Sequence, residues 1–318
     1  MNSILEPEVF FDNLSQKLDF CDPLVLEKLE IKNLINHNKG TLSLRGASAE
    51  LFEKINQDVK SLAASMGAEE IVLPASVGLE ELHLCGHLSR FHHLLTLQTS
   101  LLSYPGSSAQ PIGFSPSLSA PERACTSAVC LSSYPVLAGK IFSHNETLTL
   151  TALGRCFRNE VIKHEEPLRL REFNMRELIF FGTEEFVKNS LQQCRVWQKN
   201  LLVEGQLRGI IQSAEDPFFP AENDGLIAFQ RATKSKFELL LTMPGASEFV
   251  AVSSVNQHGN VFSKAFDIRF SNGDFIHTGC FGVGIERLAL MILIQQGLQI
   301  TRWPVHLKNR FSTTTSFC

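Results

Sequence analysis

Apolar residues recur at helical spacing along one stripe from Ser48 to Met66, through Leu51, Ile55, Val59 and Leu62. Ser48 reads as the cap and Gly67 as the stop. A strand, EEIVLPA, follows at 69–75. The pattern then switches to a period of two. TLTLTAL alternates over 147–153 and ELIFF continues the theme at 177–181. Thr183 caps a second helix that carries Glu184 and Glu185 in its first turn, where the helix dipole favours acids. FVAVSSVN at 249–256 and VFSKAFDIRF at 261–270 read as strands joined by Gln257 to Asn260. Asn272-Gly273 reads as a hairpin turn into a further strand, and a helix runs from Gly284 to Gly297. Strands joined by hairpins with helices outside them predict an α+β fold around an antiparallel sheet.

The pattern also divides the chain. Residues 1–45 read as an appendage packed on the core, 46–308 as the catalytic domain with a helical insertion at about 183–220, and 309–318 as a tail.

Charge enters this pattern at unusual places. In Cys156–Phe181, strand alternation places Cys156, Arg158 and Glu160 on one face of the first arm. It places Arg171, Phe173, Met175 and Glu177 on one face of the second. Buried charges are costly unless paired or bound to something, so this hairpin reads as built around a charged ligand. A second concentration is GCFGVGIER at 279–287. There a strand passes through glycines into a helix whose first turn carries Arg287, a guanidinium suited to phosphate oxygens. Its glycines fall at 279, 282 and 284, which is not the dinucleotide-binding spacing.

These motifs, in this order, resemble those of class II aminoacyl-tRNA synthetases. FRNE at 157–160 resembles their motif 2, GVGIER their motif 3, and helix 48–66 with its strand their dimer-forming motif 1. Within that class the chain is similar to the seryl branch, and most to the amino acid:[carrier protein] ligases. HLSRFHHLL at 87–95, SSVNQHGNVFSKAF at 253–266 and Trp303-Pro304 carry this likeness. About 45 residues without heptads precede the core, where a seryl-tRNA synthetase carries a coiled-coil arm for tRNA.

The resemblance implies a cytoplasmic, homodimeric ligase that activates a small amino acid, glycine or alanine, with ATP and magnesium. It then passes the aminoacyl group to the phosphopantetheine thiol of a small carrier protein, without tRNA. Arg158, Glu160 and Arg287 would be catalytic. Arg158, Glu160, Arg171, Phe173, Glu248 and Arg287 would hold ATP, with Phe173 stacking adenine. Arg158, Ser254 and Asn256 would hold substrate. The resemblance implies a zinc held by Cys130, Glu177 and Cys280, with Cys125 the alternative to Cys130. Cys130 is preferred because Tyr134-Pro135 follows it. Glu238 is an alternative to Glu248 for magnesium, Ser253 belongs to the same serine-rich strand, and His87, His92 and His93 read as packing or dimer contacts. Lys188, Arg195 and Lys199 make the helix after Thr183 the expected docking face for an acidic carrier. A tRNA-charging enzyme and a non-catalytic paralogue are the rival readings.

Composition agrees with a globular protein. The chain has 318 residues, 44% hydrophobic and 19% charged, with net charge −4. That balance gives no sign of a broad nucleic-acid or membrane-surface binder. No basic region precedes an apolar core at the N-terminus, so it does not read as a secretory signal, and no apolar run reaches spanning length. Eight cysteines spread over this length read as reduced thiols.

Overall fold

A computed structural model describes residues 7–22, 24–103, 117–160, 168–216, 234–243 and 249–317. Eight strands form the main sheet: β1 (Val9–Asp12), β2 (Glu69–Glu70), β3 (Leu148–Phe157), β4 (Glu172–Gly182), β5 (Gly209–Ser213), β6 (Lys236–Thr242), β7 (Phe249–Gly259) and β8 (His277–Gly284). Their order is β1-β5-β6-β7-β8-β4-β3-β2. Every neighbour is antiparallel except β3 and β2, which run parallel. The appendage is thus continuous with the core, because β1 forms an edge strand of the sheet.

Of the described helices, four matter most here: α1 (Ala47–Ser65), α2 (Glu184–Glu204), α3 (Ile285–Gln296) and α4 (Val305–Phe311). α1 buries Leu51, Ile55 and Val59, the predicted stripe. Its N-terminus differs from expectation. Gly46, with φ of 55°, turns the chain two residues before Ser48, which lies inside the helix without capping it. Thr183 caps α2 as expected, its Oγ1 accepting from the Phe186 N–H at 3.2 Å. Val187, Leu191, Trp197 and Leu201 of α2 join one core with nearly all of α3. Phe281 of β8 lies inside that core, edge-on to Trp197 with ring centres 5.5 Å apart.

One predicted strand is different. Residues 261–265 form a single helical turn, and only Arg269–Phe270 are extended. Gly259 at φ of 58° bends the chain, and the Ser263 hydroxyl donates back to the Asn260 carbonyl, which closes a turn that alternation alone does not reveal.

The cations of α2 are also placed differently from expectation. Arg195 lies over Phe10 and Phe237 at 5.0 and 4.7 Å, and Lys199 lies over Phe11 at 5.0 Å. Lys188 pairs with Glu184 within the helix. The two longer-range cations therefore fasten β1 and β6 to α2, where the sequence suggested a basic docking face.

Phe281→Ala should cost about 3–5 kcal/mol, because it removes a fully buried ring at the sheet–helix interface. Denaturant unfolding monitored by Trp197 fluorescence would measure this loss.

Candidate active site

The site sits on one face of the central strands. Along β4, alternation sends Phe173, Met175 and Glu177 to this face, and sends Asn174, Arg176 and Leu178 toward the helices. Register places Cys280 of β8 diagonal to Glu177, which pairs with Gly282, and Cys156 of β3 opposite Phe173. Gly282 has a steric reason. A side chain there would meet Met175 Sδ at 3.1 Å and Glu177 Oε1 at 3.2 Å.

Two adjoining cavities open on this face. The larger, about 300 Å³, is lined by Cys130, Glu177, Cys280, Ser254, Asn256 and His258, among others. The smaller, about 90 Å³, is lined by Phe173, Glu238, Gly284, Glu286 and Arg287. Arg158, Met175, Lys236 and Ser254 border both.

In the small cavity the two expected arginines converge. The Arg158 Nε donates to the Ser127 carbonyl at 3.1 Å, and its guanidinium lies 5.2 Å from the centre of the Phe173 ring. Arg287 donates from Nε to the Leu168 carbonyl and from Nη1 to the Ala251 carbonyl, at 3.0 and 2.9 Å. Neither has a carboxylate within ion-pair distance among the described residues, so both keep their charge available for an anion. Glu160 pairs with Arg169 at 2.7 Å, and Arg171 is exposed with its Nε donating to the Glu160 carbonyl. These two belong to the rim. Glu248 lies outside the described residues.

In the large cavity, donor atoms of Cys130, Glu177 and Cys280 all lie within 4.8 Å of one another, and all three residues are buried. Cys125 is elsewhere, on a short strand that pairs with Ser76 and Thr96. Burial pushes the Glu177 carboxyl up, and the adjacent Cys280 sulfur with burial pushes the Cys130 thiol well above its ordinary value. The Cys130 backbone N–H donates to Glu177. No lysine or arginine lies within ion-pair distance of Glu177 among the described residues. Two soft sulfurs and a carboxylate, buried together without a cationic side chain, are a set that a divalent cation of the zinc type would complete, with one position left open.

The serine strand divides by face. Ser254 and Asn256 look into the cavity, with Asn256 Nδ2 donating to Ser254 Oγ at 3.2 Å and to Cys280 Sγ at 3.5 Å. Ser253 points the other way and accepts from Gln198 Nε2 of α2 at 2.8 Å.

Sequence reasoning missed several residues. Glu286 accepts from the Asn174 N–H at 2.9 Å and from its side-chain Nδ2 at 2.6 Å, tying the start of α3 to β4. Lys236 is buried between Asp216 and Glu238, at 2.9 and 3.0 Å. Burial alone would lower its pKa, but the two acids outweigh it and hold it up. Glu238 is thereby committed to an ion pair. His87, expected to pack, lines the large cavity and meets Ser127 Oγ at 3.1 Å. Only the sequence distance between partners hid them: each pair joins strands or loops from 20 to 112 positions apart, the Lys236–Glu238 pair excepted.

Comparison with known proteins agrees with this geometry. Residues 139–296 match the family described as the tRNA synthetase class II core domain (G, H, P, S and T). The fold superposes on M. kandleri SerRS, solved with A. aeolicus tRNASec, at a TM-score of 0.82 and 18% identity, covering 98% of this chain and 65% of that one. The fold is that of a class II synthetase catalytic domain. Along nearly its whole length the chain is similar to the amino acid–[acyl-carrier-protein] ligases. It is 26% identical to ligase 1 of Bradyrhizobium diazoefficiens over 298 residues, 90% of each chain. It is 24% identical to ligase 2 of the same organism over 283 residues. A type-2 serine–tRNA ligase of Methanococcus maripaludis is 31% identical, but over only 43% of this chain and 27% of that one. No helix among the described residues is long and apolar enough to cross a membrane.

Burial lowers His87 from 6.5 to about 4. The unfolded chain therefore takes up this proton at higher pH than the folded one, so stability should fall as pH drops from 6.5 toward 4. His87→Gln should flatten that slope by up to about one bound proton, measured by urea unfolding across this range.

Proposed function

We propose that the protein activates a small amino acid with ATP and transfers it to the phosphopantetheine thiol of a carrier protein. The observation that carries this reading is the pair of carboxylate-free guanidiniums, Arg158 and Arg287, at a cavity that adjoins the one holding Cys130, Glu177 and Cys280. Whole-length likeness to amino acid–[acyl-carrier-protein] ligases supports the choice of acceptor.

ATP would occupy the smaller cavity, with adenine against Phe173, the α-phosphate at Arg158 and the γ-phosphate at Arg287. Magnesium, when bound, would neutralise phosphate charge, and Glu238 and Glu286 are the acids lining the smaller cavity that would help hold it. The amino acid would occupy the larger cavity. Zinc, held by Cys130, Glu177 and Cys280, supplies when bound an open coordination position for a free α-amino group. Ser254 and Asn256 line the path between amino group and nucleotide.

The chemistry balances without a protein acid or base. A carboxylate oxygen of the amino acid attacks the α-phosphorus, and pyrophosphate leaves. The thiolate of the carrier arm then attacks the acyl carbon, and AMP leaves. Arg158 borders both cavities, so it can hold the carboxylate and the α-phosphate in line. Glycine or alanine is the substrate that the family resemblance favours, and Met175, Leu131 and Phe262 give the larger cavity apolar walls.

The arm needs its own entrance. Arg90, Phe91, Leu94 and Val261 line the larger cavity but not the smaller one. Arg90 has no ion pair or hydrogen bond among the described residues, which suits a phosphodiester. The family resemblance favours a homodimer built around α1 and β2, beside which Val72 is 94% exposed.

Amino-acid-dependent ATP–pyrophosphate exchange should be measurable with glycine or alanine. Arg158→Ala should lower it about 10²–10³-fold, the usual effect of losing one preorganised charge donor. Exchange with no amino acid would overturn the enzyme reading, and acylation of tRNA in place of a phosphopantetheinylated carrier would favour the rival acceptor.

Metal analysis gives a separate check. Cys130→Ala should lose bound zinc and Cys125→Ala should retain it. The reverse result would move the ligand assignment to Cys125.

A further inference from the structure

One buried chain of polar groups behind the cysteine–glutamate cluster is not used by the chemistry above. Tyr134 Oη lies 3.0 Å from His258 Nδ1, and His258 Nε2 lies 3.6 Å from Cys280 Sγ. The three residues come from the turn after Cys130, from the end of β7 and from β8. Each is clamped. Tyr134 is fully buried and stacks on Phe262 with ring centres 4.1 Å apart, and His258 meets the same Phe262 edge-on at 5.0 Å.

We infer that Tyr134 and His258 are positioning residues that fix the orientation and charge of the Cys280 sulfur. The inference rests on the metal reading proposed above. A cysteine bound to a divalent cation is a thiolate, which accepts hydrogen bonds and donates none. The imidazole nitrogen facing it must therefore carry the hydrogen. A neutral imidazole has only one N–H, so Nδ1 is bare and Tyr134 donates to it. The thiolate thus selects the tautomer, and the Tyr134 hydroxyl, with Thr278 Oγ1 at 3.5 Å, satisfies the bare Nδ1 and holds the ring in place. Asn256 Nδ2 supplies a second N–H to the same sulfur at 3.5 Å. Cys280 is the ligand whose charge is drawn off by two donors.

His258 is not itself part of the ligand set. Its nitrogens do not fall among the donor atoms gathered within 4.8 Å around Cys130, Glu177 and Cys280. Its place is one layer out, where an N–H···S bond lowers the electron donation of the thiolate. A less donating sulfur leaves the cation a stronger Lewis acid toward the incoming amino group.

The test uses the full chain loaded with Zn²⁺ or Co²⁺ alone. Chelator competition measures zinc affinity, and the sulfur-to-cobalt charge-transfer band reports the charge on the thiolates. His258→Phe should weaken zinc about 10–100-fold, the usual effect of losing a group that orients a ligand. It should also move the cobalt band to longer wavelength, because an unbonded thiolate gives up its electron more readily. Tyr134→Phe, which keeps the ring packing, should move the band the same way by less. His258→Gln, which retains an N–H donor and an acceptor, should restore part of both changes.

Wild-type affinity and an unmoved band in both His258→Phe and Tyr134→Phe would overturn the inference. So would a nitrogen ligand from His258 seen by X-ray absorption in the zinc protein. A wild-type chain that binds neither metal would instead overturn the metal reading, so the two failures are distinguishable.

Discussion

Glu177 is the constraint on which the rest of this face depends. A carboxylate 2% exposed in the middle of an eight-stranded sheet carries a large desolvation cost unless its charge is matched. Nothing cationic in the described chain reaches ion-pair distance, and its visible partner is the Cys130 N–H. The surroundings are arranged to keep it there. Gly282 leaves space for its oxygen, Ala152 lies opposite it on β3, and the turn at Val129–Ser132 brings Cys130 over it. A site this costly to the apo protein is one that a bound cation would stabilise, and its affinity would then also be folding free energy.

The neighbouring residue shows how one strand serves two purposes. Arg176 points to the opposite face, where it donates to Glu70 at 2.7 Å and to Asn56 at 2.9 Å. That buried guanidinium links β4 to α1 and β2, the elements that resemble the dimer-forming motif. A one-residue slip of β4 would exchange the two faces and destroy both arrangements. The register is therefore held from each side, by the cluster above the sheet and by the ion pair below it.

Much of this was legible in the sequence, for identifiable reasons. The alternation in 147–153 and 177–181 gave the paired strands, and inward Arg158, Phe173 and Glu177 stood out because charge rarely interrupts such a pattern. Gly67 and Gly297 marked helix ends because each adopts a positive φ, of 68° and 72°. The misses share a cause too. Residues 261–265 alternate like a strand, yet Gly259 and the Ser263 hydroxyl wind them into a turn. The basic positions on α2 looked like a display surface because nothing in the sequence places Phe10, Phe11 and Phe237 beneath them. Cys130, Glu177 and Cys280 are separated by 47 and 103 positions, so their meeting is a property of the sheet register and was reached only through resemblance.

The wall between the two cavities is the most consequential element of the site. It consists of Arg158, Met175, Lys236 and Ser254, and each comes from a different strand or strand end. On the proposed reading, a molecule anchored by its amino group at the cysteine–glutamate cluster would present its carboxylate to this wall. On the same reading, a nucleotide held at Arg287 would present its phosphates to that wall from the smaller cavity. On that reading the Arg158 guanidinium, which borders both cavities, is the group common to both reactants. Lys236, fixed between Asp216 and Glu238, adds a charge there that is already compensated, so it shapes the wall without competing for the anion. Arg158 alone at this wall is then free to follow charge as it moves from carboxylate to phosphate, which is the property an activating enzyme of this fold requires.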